Sequence, residues 1–423
     1  MNKKRLFTKS LVAAAITLAA SQQALAAGFQ LNAQSATGLG RAFAGDAVIA
    51  DNASVMSRNA AAMSLFKAPA ISLGLNAVDT DIEVKGAEYT ALTQTGPQTF
   101  PLEDQQVGDI SYVPNLYYIH PINEKWTVGA SIYSNFGTKT EFSSDYPANE
   151  YGGMTDVKSV NFGLSASYRI DQQWSVGGGL DVIYGEGKLQ RSNAALENAV
   201  GGKLLDVDAN GVGLGWNVGT VYELNEDNRF GLSYRYSPEL ETEGDMTYLG
   251  NDLSNQKLLM PLPDMAEFSG FHKLNDTFAV HYSVQWIGWS AFDKLQTSGG
   301  VELNTYEWQD GWHYALGGTY YLNNDWTLRA GYMYDTSAQD QKTSISVPDS
   351  DRQWFSGGFT YHLDSKSTLD FGVTYLVGKD VNVTESTPNP DPNTNPMFPD
   401  ATSITATTRA NALLYGIQYS RSF

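Results

Sequence analysis

The segment FAVHYSVQWIG, residues 278–288, decides the fold. Phe278, Val280, Tyr282, Val284 and Trp286 fall on one face; Ala279, His281, Ser283 and Gln285 fall on the other. A period of two belongs to a β-strand, whose successive side chains leave opposite faces of the pleat. The alternation recurs in 160–170, where Val160, Phe162, Leu164, Ala166, Tyr168 and Ile170 oppose Asn161, Gly163, Ser165, Ser167 and Arg169. It recurs again in 369–377. Segments of about ten residues are long enough to cross a bilayer at a tilt of about 45°.

Working outward, the chain reads as fourteen strands: 68–79, 110–120, 126–136, 156–170, 173–189, 212–224, 228–237, 265–273, 276–290, 311–323, 325–334, 353–363, 367–378 and 410–423. Their connections alternate in kind. PINEK, DQQ, NED, LND, NND and DSKS are tight polar turns, whereas segments such as 80–109, 238–264 and 379–409 are long loops. Short turns at one rim and long loops at the other are the organisation of an outer-membrane barrel. A β-sandwich has no reason to sort its loops by parity. The expected fold is all-β: a 14-stranded antiparallel transmembrane β-barrel over residues 68–423.

The ends of the chain agree with that location. MNKKRLFTKS carries four positive charges, LVAAAITLAA is an apolar core, and ALA at 24–26 is a small-x-small cleavage site. Residues 1–26 therefore read as a signal peptide and Ala27 as the mature N-terminus. Removing four basic residues and no acid takes the net charge from −19 to −23. No later run approaches the eighteen apolar residues of a membrane helix. The closing YGIQYSRSF sets Tyr415, Ile417, Tyr419 and Phe423 on one face, interrupted by Arg421. Such an ending is similar to the signal that hands bacterial barrels to the barrel-assembly machinery. One chain closes the barrel, so a monomer is expected.

Composition excludes several functions. With no cysteine there are neither disulfides nor thiolate metal sites. The acidic balance argues against nucleic acid as a partner. No G-x-S-x-G occurs, and the five histidines, at 120, 272, 281, 313 and 362, lack paired metal spacing. Neither an enzyme nor a cofactor is expected.

A fourteen-strand barrel encloses more space than its own side chains fill. Residues 27–67, rich in Gly, Ala, Ser and Asn, are expected to fold inside it as a plug, or hatch, bonding to inward-facing polar groups. The alternative is a free periplasmic tail. Against the tail, Val, Met, Leu and Phe in ADNASVMSRNAAAMSLF need apolar contacts.

The stretch AGFQLNAQSATGLGRAFAGDAVIADNASVMSRNAAAMSLF resembles the N-terminal hatch of FadL-type long-chain fatty-acid transporters of the bacterial outer membrane. The likeness continues through WTVGASIYSNFGTKTEF, GWNVGTVYELNEDNRFGLSYR and ISVPDSDRQWFSGG. It implies capture of a long-chain fatty acid at the outer loops, transfer to an interior site, and sideways release through the barrel wall. It also implies roles for particular residues. Phe29 takes the place of a Phe that reaches toward the interior site. Asn59 and Ala60 stand where the family hatch carries Asn-Pro-Ala near the wall opening, here without the Pro. Asn135, Phe136 and Gly137 match the kinked third-strand region, Gly137 permitting a bend. Arg191 matches an interior Arg that meets the ligand carboxylate, and Gln309 replaces its partner Lys.

Burying an acyl chain of sixteen to eighteen carbons gains roughly ten kcal/mol. Capture is therefore easy and release hard, and a sideways exit keeps the chain in apolar surroundings. Lipopolysaccharide headgroups are the polar barrier to be passed. The run LLMPLP, 258–263, reads as an exposed apolar surface, with Leu258, Leu259 and Met260 forming a shallow first-capture groove or packing on a neighbouring loop. NAALENAV, 193–200, reads as a short helix capped by Asn193. Asp349, Asp351 and Arg352 read as a structural ion network near the outer rim, and excess loop acids as sites for divalent cations shared with lipopolysaccharide. Two further cargo classes stay open: aromatic or other neutral hydrophobic compounds, and small solutes through an open diffusion pore.

Overall fold

The computed structural model describes residues 28–93, 95–193, 202–388 and 400–423. The leader, Ala27 and all of the 193–200 segment except Asn193 lie outside them. The wall consists of β1 (Ala70–Thr93), β2 (Ile110–Pro121), β3 (Trp126–Tyr133), β4 (Met154–Arg169), β5 (Trp174–Ser192), β6 (Lys203–Asn225) and β7 (Asn228–Tyr236). It continues with β8 (Met265–Asn275), β9 (Phe278–Ile287), β10 (Gly311–Tyr321), β11 (Trp326–Asp335), β12 (Arg352–His362), β13 (Ser367–Gly378) and β14 (Asp400–Ser422). Each strand pairs antiparallel with the next. β14 returns to β1 from Ala70↔Ser422 upward, and the ring closes.

All fourteen expected segments are strands, but β1, β6 and β14 run much further toward the long-loop rim. Their apolar residues change face on the way. In β1, Leu73 and Leu75 are exposed on the outside, while Val78, Ile82 and Val84 are buried inside. In β6, Val212 and Leu214 point out, whereas Leu205 and Val207 point in. Lipid wets the outer surface over the first stretch and water over the second, so the greasy side inverts with no change of register.

The tight turns share one device. Asn123, Asp171, Asn225, Asn275, Asn323 and Asp364 each accept a backbone N–H two residues on. These are Asx turns, which mimic a backbone turn with a short polar side chain.

Residues 28–67 run inside the ring. Their hydrogen bonds reach Ser72 on β1, Tyr117 on β2, Arg169 on β4, Thr220 on β6, Ser269 on β8, Ser283 on β9, Thr374 on β13 and Gln418 on β14. The contact is close enough to demand glycine on the wall. A Cβ at Gly331 would lie 2.1 Å from the Arg41 carbonyl, and one at Gly372 would lie 2.2 Å from that of Ala36. Local structure comes from small caps: Ser35, Asn52 and Asn59 each cap a short helical turn with a side-chain oxygen. Ion pairs lock the segment. Arg41 holds Asp46 at 2.6 Å and Asp51 at 2.9 Å, Arg329 on β11 reaches Asp51 at 3.3 Å, and Arg58 lies 3.4 Å from Glu267 on β8.

Candidate functional site

The pairing of the wall breaks off at β3. β3 pairs with β2 only from Leu116↔Ile132 to Pro121↔Thr127. Past Tyr133 the chain turns inward through Ser134, Asn135 and Phe136, then returns as a short strand, Gly137–Glu141, that pairs with β4 alone. Residues 110–115 of β2 are therefore left without a strand on that side among the described residues. Pro114, lacking an N–H, sits on this open edge, where such a residue is tolerated. Register gives the cause. Tyr133 pairs with Asn161 and Gly137 with Lys158, so three residues of one chain face two of the other, which is a bulge. Gly137 closes this turn without left-handed backbone and donates its N–H to the Phe29 carbonyl at 2.9 Å.

The inward loop meets the start of the interior segment. Gln30 bridges to Phe136, and Leu31 donates to the Asn135 carbonyl at 2.7 Å. At the outer edge of the break, Lys139 reaches Asp109 at 3.5 Å and Glu141 donates to the Val107 carbonyl at 3.2 Å.

Phe29 points into an aromatic cluster, with ring centroids 4.5 Å from Trp289, 5.2 Å from Phe292, 5.7 Å from Trp308 and 6.2 Å from Phe136. Together with Leu189, Leu258, Met260 and Tyr306 this side chain lines a narrow apolar cavity of about 20 Å³. The shallow outer groove expected of Leu258, Leu259 and Met260 is not what the structure shows. Leu258–Pro261 is a short strand held between residues 239–242 and 296–297, so Leu258 is 1 % and Met260 3 % exposed, facing the cavity. Leu259, half-buried, alternates away from it.

Arg191 stands at the outer end of β5, in the wall of a larger cleft of about 660 Å³ lined by Asp109, Lys139, Phe142, Arg191, Lys203 and Asp206 among others. Its guanidinium donates to the carbonyls of Met154 and Gln190 at 2.7 and 2.8 Å and to the Thr155 hydroxyl at 2.8 Å. Thr155 and Tyr306 also line the apolar cavity, so Arg191 sits between the two spaces. Burial pulls its pKa below the usual value, opposed by Tyr306 and Glu385. Glu385 in turn is pushed up to about 7, chiefly by burial, although it accepts the Ile345 N–H at 2.8 Å.

Gln309 does not join Arg191. Trp308 turns into the cavity, while Gln309 is exposed and donates to the Ser337 carbonyl at 3.3 Å. Asn59 and Ala60 do not border the break either. Asn59 donates to the carbonyls of Ala47 and Thr220, and Ala60 lies over Gly177, which places both against β5 and β6. Asp349 and Arg352, at the long-loop end of β12, form a fully buried ion pair, and Asp351 reaches Lys379 at 2.8 Å.

The aromatics of 289–308 were not singled out from the sequence. Their signal was present: WIGWSAF places Trp289 and Phe292 just past Trp286, where the strand alternation ends.

A family model described as outer membrane protein transport protein (OMPP1/FadL/TodX) matches residues 17–423. A long-chain fatty acid transport protein of Escherichia coli O6:H1 is 37% identical, over 91% of this chain and 94% of its own length. Outer membrane protein P1 of Haemophilus influenzae is 35% identical over 99% of both chains. Among solved structures, a Pseudomonas aeruginosa FadL homologue superposes with a TM-score of 0.81 at 20% identity, covering 94% of this chain and all of the other. The Ralstonia pickettii toluene transporter TbuX superposes at 0.61 and 18% identity, covering 92% of this chain and all of the other. These two show the shared barrel.

Proposed function

The chain belongs to the OMPP1/FadL/TodX family of outer-membrane transport proteins, and on that premise we propose that it carries long-chain fatty acids across the outer membrane. The ligand enters the outer cleft, where Arg191 meets its carboxylate. Its chain passes to the aromatic cavity by displacing Phe29, and leaves sideways through the break at 134–136. Residues 27–67 act as the hatch that stops water. The break carries this reading: an unpaired edge of β2 faces an inward loop tied to the residues around Phe29 by the two backbone hydrogen bonds of the Gln30–Phe136 bridge. Motion of Phe29 is thus coupled to the opening. Each CH₂ kept out of water retains about 0.8 kcal/mol, so the lateral path avoids returning that energy to the periplasm.

Uptake of a radiolabelled long-chain fatty acid by cells that lack any other carrier tests this. Expression of the chain should make uptake fast and saturable; uptake no faster than with an empty vector refutes it. A second reading, neutral aromatic hydrocarbons as cargo, draws on the rings around Phe29 and on Gln309 facing away from them. It predicts that toluene competes with the fatty acid for uptake.

A further inference from the structure

We propose that a small polar cavity at the inner mouth of the wall break is a head-group station, which receives the ligand's carboxyl group in its neutral, protonated form. The proposal rests on the transport reading above and adds a site to it. The cavity is lined by Gln30, Gln34, Arg58, Asn135, Arg235 and Glu267, among others, and its volume of about 20 Å³ leaves room for one small polar group.

Three of these side chains hold a buried polar atom with no hydrogen-bond partner among the described residues: Gln30 Oε1, Asn135 Nδ2 and Arg58 Nε, the last lying 3.9 Å from the Asp46 carboxylate. Buried polar atoms without partners are rare, and three converging on one cavity call for an occupant. The chain direction explains the placement. Phe29 faces the apolar cavity and its neighbour Gln30 faces this one, so two successive side chains separate a site for a tail from a site for a head. Asn135 belongs to the inward loop of the break itself.

Charge decides the form of the occupant. Arg58 lies 3.4 Å from Glu267 and donates to Asn32 and Gln34 at 2.8 and 2.9 Å. Arg235 is paired with Asp181 and donates to the Ser57 carbonyl at 2.9 Å. Wall carboxylates therefore offset both cations, and the cavity offers hydrogen bonds with little net charge. The free Asn135 amide donor, the Arg58 Nε–H without a hydrogen bond and the free Gln30 acceptor match a protonated carboxyl: its carbonyl oxygen accepts from Asn135 and Arg58, and its O–H donates to Gln30. A carboxylate has no hydrogen for Gln30 Oε1 and would add a charge beside Glu267. The proton comes from water when the acid leaves the outer cleft. Entering hydrocarbon as an ion is prohibitive, so a site that holds the neutral acid next to the opening eases the exit.

The test uses the whole protein in cells without another carrier, with Asn135→Leu and the nearly isosteric Gln30→Met. Uptake of a long-chain fatty acid is compared with uptake of toluene, which has no head group, and of an alkyl sulfonate of equal length, which stays ionised. Both variants should lower the ratio of acid to toluene uptake by about fivefold or more. The parent protein should carry the sulfonate at least about tenfold more slowly than the acid. Unchanged acid-to-toluene ratios mean that the cavity holds only a structural water and overturn the station; sulfonate uptake equal to that of the acid overturns the neutral form. A parent protein that carries toluene and no acid refutes the fatty-acid reading itself.

Discussion

Replacing Gly372 by valine asks how tightly the interior segment seals the bore. The new Cβ would lie 2.2 Å from the Ala36 carbonyl oxygen and 2.8 Å from the Gly40 nitrogen, both backbone atoms that cannot rotate away. Restoring ordinary contact moves the helical turn Ala36–Leu39 by about 1 Å. That shift strips two hydrogen bonds, from the Thr374 hydroxyl to the Leu39 carbonyl at 3.0 Å and from the Ala36 N–H to Gln418 at 3.2 Å. At about 0.5–1.5 kcal/mol each, the loosened arrangement gains about 1–3 kcal/mol relative to the sealed one, roughly a five- to hundredfold rise in its population. Single-channel recording in planar bilayers reads this as brief openings that become more frequent by that factor. A conductance record indistinguishable from the parent's would refute the idea that close backbone contact keeps the bore shut.

Three further outcomes follow from the site. Phe29→Ala removes a ring packed among Trp289, Phe292 and Trp308, at a cost to packing of about 3–5 kcal/mol, and should speed loading of a fluorescent fatty-acid analogue in stopped flow; an unchanged rate counts against Phe29 as the occupant to be displaced. Arg191→Gln should weaken binding of a fatty acid by about ten- to hundredfold and of its methyl ester much less, measured by calorimetry, whereas equal losses would make Arg191 merely structural. Glu385 has a pKa raised to about 7 in the folded protein, so it keeps its proton there when the unfolded chain has lost it. The stability from that proton is complete below the ordinary carboxylate pKa of 4.5 and is lost as pH rises through about 7. Resistance to urea unfolding should therefore fall between pH 5 and pH 8, and Glu385→Gln should abolish that part of the fall.

The wall was legible because lipid outside and polar contacts inside impose one strict alternation, as in 278–288. The upper halves of β1, β6 and β14 were missed for a related reason. Where water replaces lipid, apolar residues move to the inner face, and the reversed phase reads as the end of a strand. The turns announced themselves through Asn and Asp, whose side chains do the capping. The site was harder. Leu258 and Met260 look exposed in a loop until residues 239–242 and 296–297 are seen to pair with them. Gln309 looks like a partner for Arg191 until Trp308 is seen to take the inward position. The break at 134–136 depends on a count across two strands, three residues against two, which no single segment contains.

That count also supplies the decisive experiment. Deleting Ser134 leaves two residues facing Ser159 and Val160, so that β3 can run straight into 137–141 and close against the free edge of β2. If ligand leaves through the wall, cells carrying this deletion should lose fatty-acid uptake down to the empty-vector level, while the purified barrel still migrates as a folded species and still binds the ligand. Uptake matching the parent protein, with the break closed, would mean that the cargo leaves by the bore.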